Sequence, residues 1–312
     1  MEIIGNDYHI PVLYYETLEN LVLNPDGIYI DCTLGGGSHS EGILQKLSEK
    51  GLLISIDQDI NAIEYSKKRL EKYGKKWKVF NGNFENIDTI AYMAGVDKVD
   101  GILMDIGVSS KQLDDPERGF SYRYDTKLDM RMDVKQKISA YELVNTYSEE
   151  KLTKILFEYG EERFAKKIAR LICEKRKEKN IETTFELVEL IKRAYPERAI
   201  KHPAKKTFQA IRIEVNRELE VLDKAIEKAS DLLKIEGRLA IITFHSLEDR
   251  IVKNKFKDLA TACKCPEGLP ICVCGGVEKF KLVTKKPIIP IDDEVKKNNR
   301  SHSSKLRIIE RI

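Results

Sequence analysis

The sequence predicts an α/β protein, with a mainly parallel sheet interrupted once by a helical insertion. Three observations predict it. The first third alternates short apolar runs with helix-period segments. Residues 117–209 contain no convincing central strand. The apolar runs then return at 238–244 and 305–310. The parts so delimited are 1–116, 117–209 and 210–312, the outer two forming one discontinuous domain. A length of 312 residues suits two domains. With 42% hydrophobic and 34% charged residues, the chain can bury a core and is not disordered throughout.

Each element has its own signal. Gly27-Ile28-Tyr29-Ile30-Asp31 follows the turn signal Asn24-Pro25-Asp26 and reads as the first strand. Residues 41–47 have helical spacing, and 52–57 form the second strand. Residues 61–73 are an amphipathic helix with Ile63 and Leu70 inward. Residues 78–81 and 99–105 supply strands three and four, and near-continuous apolar strands imply a sheet covered on both faces. In the insertion, 149–179 reads as one or two helices and 183–195 as another, with Thr183 or Thr184 as N-cap. Residues 215–233 are predicted helical and Gly237 a breaker before the strand at 238–244. The alternating segment 305–310 closes the sheet as a strand with one wet face.

Composition excludes several classes. The 54 Lys+Arg against 51 Asp+Glu leave +3, far from a histone-like polycation. No apolar run approaches the roughly 18 to 20 residues of a membrane span. The first residues show no basic-then-apolar leader. Isolated Cys32 and Cys173, with four cysteines crowded elsewhere, do not form a secreted disulfide framework, so a reducing cytoplasm is expected.

Between the first strand and its helix lies Asp31-Cys32-Thr33-Leu34-Gly35-Gly36-Gly37-Ser38-His39-Ser40. Glycines there admit positive φ and close backbone approach, in front of a helix N-terminus. Asp57 ends the second strand 22 residues after Gly35, where a carboxylate can accept bonds from ribose hydroxyls. A tight turn plus a solvated acid would produce the same glycines. Asp57 at this place favours a nucleoside ligand. Asn81-Gly82-Asn83-Phe84 after the third strand offers a polar group and an aromatic wall for a base. The fourth strand ends in Asp105-Ile106-Gly107-Val108-Ser109-Ser110, a polar rim at the carboxyl edge where open sheets place chemistry.

At this rim the sequence resembles a known family. The string from Asp105 to Tyr122 followed by Leu128-Asp129-Met130-Arg131-Met132-Asp133 is similar to the RsmH (MraW) family. Further strings at 9–13, 159–165, 202–204, 207–213, 244–250 and 304–307 extend the resemblance over nearly the whole chain. It implies a class I methyltransferase fold that uses S-adenosylmethionine (AdoMet). The implied reaction is methylation of N4 of a cytosine in the decoding region of bacterial 16S ribosomal RNA. The implied partner is 16S rRNA or the small ribosomal subunit, with no membrane. The oligomeric state stays open, a homodimer included. Implied AdoMet contacts are Gly37, Ser38, His39, Asp57, Phe84, Asp105 and Gln112. Two departures stand out. Ser38 replaces the usual glycine, and Asn298-Asn299-Arg300-Ser301-His302 replaces an Asn-Pro-Arg string with a second Arg.

Methyl transfer is an in-line displacement that depends on near-attack geometry. Cytosine N4 is a poor nucleophile, so an acceptor for its hydrogen helps. The Asn/Asp-Pro-Pro-aromatic loop of many amino-methyltransferases is absent, which makes Asp105, Ser109 and Ser110 the candidates for aligning the amine. His245, after the strand at 238–244, is the other acid/base candidate, against the plainer reading of a structural histidine. A base buried in folded RNA must be unstacked. Phe120, Tyr122 and Tyr124 are candidates to stack on it, or else they pack the insertion.

The insertion carries 22 Lys+Arg and 16 Asp+Glu, a net of +6 against −3 for the remainder. Arg163, Lys166, Lys167 and Arg170 share one helical face, which suits phosphate contacts. A solvated face paired with Glu161, Glu162 and Glu174 is the alternative. Cys263, Cys265, Cys272 and Cys274 form a C-x-C…C-x-C cluster that could close a structural zinc site. The alternatives to a methyltransferase are a nicotinamide-dependent oxidoreductase and an inactive RNA-binding assembly factor. Only one nucleotide-binding half is evident, against the first. Asp57 and Asp105 are both intact, against the second.

Overall fold

The computed structural model describes residues 11–196, 202–263, 265 and 276–312. Its elements run in chain order as α1 (Tyr14–Leu21), β1 (Ile28–Asp31), α2 (Ser38–Lys46), β2 (Leu52–Asp57), α3 (Ile60–Leu70), β3 (Trp77–Asn81), α4 (Ile87–Met93) and β4 (Val99–Asp105). Then come α5 (Ser110–Asp114), α6 (Ala140–Thr146), α7 (Glu149–Gly160), α8 (Ala165–Glu178), α9 (Thr184–Ala194) and α10 (Ala204–Asn216). The chain ends with α11 (Glu218–Leu232), β5 (Leu233–Thr243), α12 (Ser246–Leu259), β6 (Phe280–Leu282), α13 (Asp292–Lys297) and β7 (Lys305–Arg311). The chain divides into two compact units, one of residues 1–107 with 219–312 and one of residues 108–218. The expected insertion at 117–209 lies inside the second.

In the first unit the seven strands lie in the order β3-β2-β1-β4-β5-β7-β6. The first five are mutually parallel. β7 runs antiparallel beside β5, and β6 antiparallel beside β7. This is the class I methyltransferase fold. The chain winds outward from β1 to β3 and returns to β4 on β1's other side. The strand order therefore reverses between β1 and β4, and a crevice opens at their carboxyl ends. Alternation along the strands feeds two cores. Ile30, Ile54, Ile56, Ile102 and Met104 face the core closed by α4, α11 and α12. Tyr29, Leu53, Leu103, Ala240 and Ile308 face the core closed by α1 and α2.

The second unit is helical, with one isolated bridge, Lys127 to Thr183, among its described residues. Its core comes from the inward faces of α6 to α10, with Leu128, Met130 and Met132 from the loop before α6. That loop is held by polar contacts. Asn216 accepts from the Met132 N–H at 2.8 Å and donates to the Met130 carbonyl at 2.8 Å. Gly119 has a φ of 68°, and a Cβ there would stand 2.5 Å from the Lys127 carbonyl oxygen, so only glycine fits. Thr183 caps α9 in a capping box with Glu186.

Three expectations are corrected. The helix expected at 215–233 is two helices, because Arg217 sits at φ 51° between α10 and α11. The one expected at 61–73 ends at Leu70 and passes into a 3-10 segment, Glu71–Lys76, interrupted by Gly74. The strand expected at 305–310 with one wet face has none, since Leu306 to Glu310 are all buried, Arg307 against Asp249 of α12 and Glu310 against Arg238, and β6 beyond it carried no sequence signal. Among the described residues no helix is long and apolar enough to cross a membrane.

Candidate active site

The carboxyl ends of β1, β2 and β4 bring together Asp31, the glycine turn, Asp57 and Asp105. Asp31 is buried. Its carboxylate accepts from the Thr33 N–H at 3.0 Å and the Ser40 hydroxyl at 2.7 Å. Burial pushes its carboxyl above the usual range, while those bonds oppose the shift. The turn that follows needs its glycines, since Gly35 and Gly37 have φ of 48° and 77°. A Cβ on Gly37 would stand 3.1 Å from Ser66 Oγ and 3.2 Å from a Leu70 methyl. Ser38, the first residue of α2, is not among the positive-φ residues, so its side chain costs the turn no backbone strain.

Asp57 is bound to this turn. One carboxylate oxygen accepts the Gly35 N–H at 2.8 Å and the other the Asp59 N–H at 2.8 Å. Burial raises its carboxyl to about 6, against the lowering effect of those two bonds. A carboxylate offers about four lone-pair directions, so two remain for hydroxyl donors. Beside it, Asn81 donates to the Asp57 carbonyl at 3.0 Å, and Asn83 donates to Gln58 at 3.0 Å. Asn83 also caps the short turn that carries Phe84, which is half-buried against the core.

Asp105 ends β4. Its N–H donates to Thr33 Oγ1 at 2.8 Å, joining the rim to the loop after β1. One carboxyl oxygen lies 3.5 Å from Nδ1 of the buried His39. The other is buried with no hydrogen-bond partner among the described residues. Burial holds this carboxyl well above the usual carboxylate range, and the charges of Asp31 and Glu248 add to the shift.

His245 has a structural task. It is the N-cap of α12, in a reciprocal box with Glu248. Glu248 is buried and accepts the N–H groups of Phe244 at 2.8 Å and His245 at 3.2 Å. The sequence signal for this cap was Glu248 three residues on, with histidine in the place usually held by Ser or Thr.

Within the second unit, Ser109 and Gln112 form another capping box, on α5. The Gln112 N–H donates to Ser109 Oγ at 3.1 Å, and the Ser109 N–H to Gln112 Oε1 at 3.1 Å. Ser110 begins that helix and is half-buried. Phe120 is 5% exposed in the core of this unit, which removes it as a partner for a base. Tyr122 stacks on His202, with centroids 4.3 Å apart and planes 13° apart, and Tyr124 is 42% exposed. Arg163, Lys166, Lys167 and Arg170 are all exposed, but the single helical face expected for them is corrected, since α8 starts at Ala165 after its N-cap Phe164 and carries only Lys166, Lys167 and Arg170. Arg163 lies over the Phe164 ring, Lys167 donates to the Ala194 carbonyl, and Arg170 is 3.3 Å from Glu174. Of the cysteine cluster, Cys263 is exposed and Cys265 half-buried, while Cys272 and Cys274 lie outside the described residues, as does His9.

The MraW methylase family matches residues 6–312. The ribosomal RNA small subunit methyltransferase H of Fusobacterium nucleatum subsp. nucleatum is 83% identical over 312 residues, covering all of this chain and 99% of that one. The protein of the same name from Clostridioides difficile is 55% identical over 98% of this chain and 99% of its own. That from Clostridium botulinum strain Kyoto is 58% identical over 97% and 99%.

Proposed function

The chain belongs to the MraW methylase family and is a methyltransferase, and from that membership and the geometry above we propose that it methylates N4 of a cytosine in 16S ribosomal RNA, with AdoMet as donor. The observation that carries the reading is the convergence of the glycine turn, Asp57 and Asp105 at the crevice between β1 and β4. Family membership sets aside the nicotinamide-dependent oxidoreductase. The full-length relatives named as methyltransferases speak against an inactive assembly factor.

The residues fit AdoMet. Asp57 keeps two acceptor directions for a ribose diol, and Phe84 beside Asn83 offers a wall and a polar edge for adenine. Gly37, Ser38, His39 and Asp105 line the turn and rim that would take the amino-acid end, and the buried oxygen of Asp105 that has no partner among the described residues is one that a ligand donor would satisfy. Gln112 is assigned to the cofactor by resemblance. When bound, AdoMet supplies an electrophilic methyl group.

The chain's own groups do the rest. Asp105 in its ionised form can accept a proton from N4. Burial makes that form costly, so Asp105 holds its proton until a partner pays for the charge. Ser109 accepts from the Gln112 N–H, which leaves its own hydroxyl hydrogen to orient an acceptor on the base. Ser110 follows it and is the second candidate. The insertion, with Arg163, Lys166, Lys167 and Arg170 exposed, supplies phosphate contacts, and Tyr124 is the aromatic left for a base. The cysteine cluster would hold a structural zinc, and the protein would act in the cytoplasm. Nucleoside mass spectrometry of small-subunit RNA, from cells with and without this protein, tests the reading. Loss of N4-methylcytidine, restored by the purified protein with AdoMet, is expected. An unchanged nucleoside profile refutes it.

A further inference from the structure

The glycine turn is gripped from two sides. Gly35 donates its N–H to Asp57, and its carbonyl accepts from Ser66 Oγ at 2.7 Å. The next carbonyl, of Gly36, accepts from Arg69 Nη1 at 3.3 Å, and the same nitrogen lies 3.4 Å from Ser38 Oγ. Ser66, Arg69 and Leu70 stand at i, i+3 and i+4 on α3, so one helix face carries all three contacts to the turn, Leu70 through its packing against Gly37. In a trans peptide the carbonyl and the following N–H point opposite ways. Holding the Gly35 and Gly36 carbonyls towards α3 therefore turns the N–H groups of Gly36 and Gly37 away from it.

Arg69 reaches this position because something else aims it. Glu41 of α2 is buried and binds the Nε and Nη2 side of the guanidinium. Lys72 takes the other Glu41 oxygen at 2.8 Å. A buried carboxylate with two cationic partners is a fixed point, and a planar fork held on one edge presents its remaining nitrogen in one direction. Here that direction is the Gly36 carbonyl and the Ser38 hydroxyl.

We infer that Arg69, oriented by Glu41, is a positioning residue of the nucleoside site, setting the glycine turn through the Gly36 carbonyl and the Ser38 hydroxyl. The inference rests on the AdoMet reading of that site. It gives α3 a defined task. The helix that starts just after Asp57 also clamps the turn against which Asp57 is bonded, so the two halves of the nucleoside site are set by one rigid element.

The test uses the full-length protein with Arg69→Met, which keeps the apolar stem, and with Glu41→Gln, which keeps the shape of the carboxylate. Calorimetry with AdoMet and with S-adenosylhomocysteine is combined with steady-state methyl transfer to small-subunit RNA. Arg69→Met should raise Kd and KM for AdoMet about tenfold, the loss of one charge-assisted contact. The kcat at saturating AdoMet should stay within about twofold, because a turn that binds the cofactor poorly still presents it once filled. Arg69→Lys should recover only part of the loss, since a point ammonium cannot span Glu41 and Gly36 together. If Arg69→Met fails to fold, Glu41→Gln is read in the same way. AdoMet affinity within twofold of wild type in a folded variant overturns the inference, as does a melting-temperature loss without any change in affinity. Wild-type protein that binds no AdoMet overturns the reading of the site, and the inference falls with it for that separate reason.

Discussion

Asp57 is the residue to perturb first, by substitution with Asn. Its carboxylate is ionised with difficulty, since burial raises it from the ordinary 3.8 to about 6. The native state therefore keeps a proton that the unfolded chain has already lost between those two values. By linkage, stability falls as pH rises through that window. The penalty, fully present above about pH 6, amounts to about 3 kcal/mol, from two pH units at about 1.4 kcal/mol each. Asp57→Asn removes the penalty. It also supplies one acceptor oxygen where the Gly35 and Asp59 N–H groups, both at 2.8 Å, require two. The unpaired N–H costs about 1–3 kcal/mol. The variant should thus stay within about 2 kcal/mol of wild-type stability at pH 7, on the stable side if at all different. AdoMet binding should behave oppositely. Losing a charged acceptor for ribose should weaken it by about 1.5–3 kcal/mol. In the wild type, Kd should rise about tenfold per pH unit below pH 6 and level off above it. Calorimetry from pH 5 to 8 on both proteins, with thermal melts alongside, reads all of this. Asp31 and Asp105 titrate in both proteins, so the difference between the two profiles isolates Asp57. A wild-type Kd that is flat across this range, or an Asn variant that binds as well as wild type, would refute the reasoning.

Three further outcomes are expected. Asp105→Asn keeps size and removes proton acceptance, so single-turnover methyl transfer at saturating AdoMet should fall by about two to four orders of magnitude. The wild-type rate should climb with pH through a value above the usual carboxylate range, since the acid must ionise to accept a proton. A pH-independent rate would remove Asp105 from proton transfer. Reversing charge at Arg163, Lys166, Lys167 and Arg170 should weaken RNA binding and shrink its salt slope, with AdoMet binding intact. An unchanged slope would mark the face as merely solvated. Metal analysis of untagged protein should find about one zinc per chain if Cys263, Cys265, Cys272 and Cys274 complete a four-ligand site. Four reactive thiols with no metal would exclude that site.

What could be read from the sequence was local. The parallel strands were legible because a strand covered on both faces is apolar along most of its length, as Leu52–Asp57 and Val99–Asp105 are apart from Ser55, Asp100, Gly101 and the two terminal acids. The joining of Asp57 to the glycine turn was legible because both stand at fixed places in one β-α-β unit, and the structure ties them through the Gly35 N–H, with Gly35 and Gly37 at positive φ. Short or polar elements left no such trace. Phe280–Leu282 pairs only at a sheet edge, and the break at Arg217 has no glycine to mark it. Side chains with two plausible tasks were ambiguous for a physical reason. Phe120, an aromatic near a rim, packs a core as readily as a base, and His245 caps α12 with the same nitrogen chemistry that would have made it a base.

The support beneath the site was illegible for a different reason. Arg69 and Glu41 are 28 residues apart, and neither breaks the pattern of its own helix. Each reads as an ordinary charge on an amphipathic face. Only the packing of α2 and α3 onto one sheet buries Glu41 and half-buries Arg69, and that burial makes the pair directional. Ser109 shows the same limit at short range. Its hydroxyl was singled out for chemistry, yet it also accepts the Gln112 N–H at the start of α5. Ser109→Ala would therefore cost about 1 kcal/mol of cap energy before any effect on catalysis. A rate loss in that variant means something only beside Ser109→Thr, which keeps an N-cap acceptor, and Ser110→Ala, which leaves the Ser109 cap in place. If both retain the wild-type rate while Ser109→Ala loses it, the Ser109 hydroxyl is required, whether as cap or as aligning group. If the α5 helix melts in step with the rate, the hydroxyl serves the fold and the amine is aligned elsewhere on the rim.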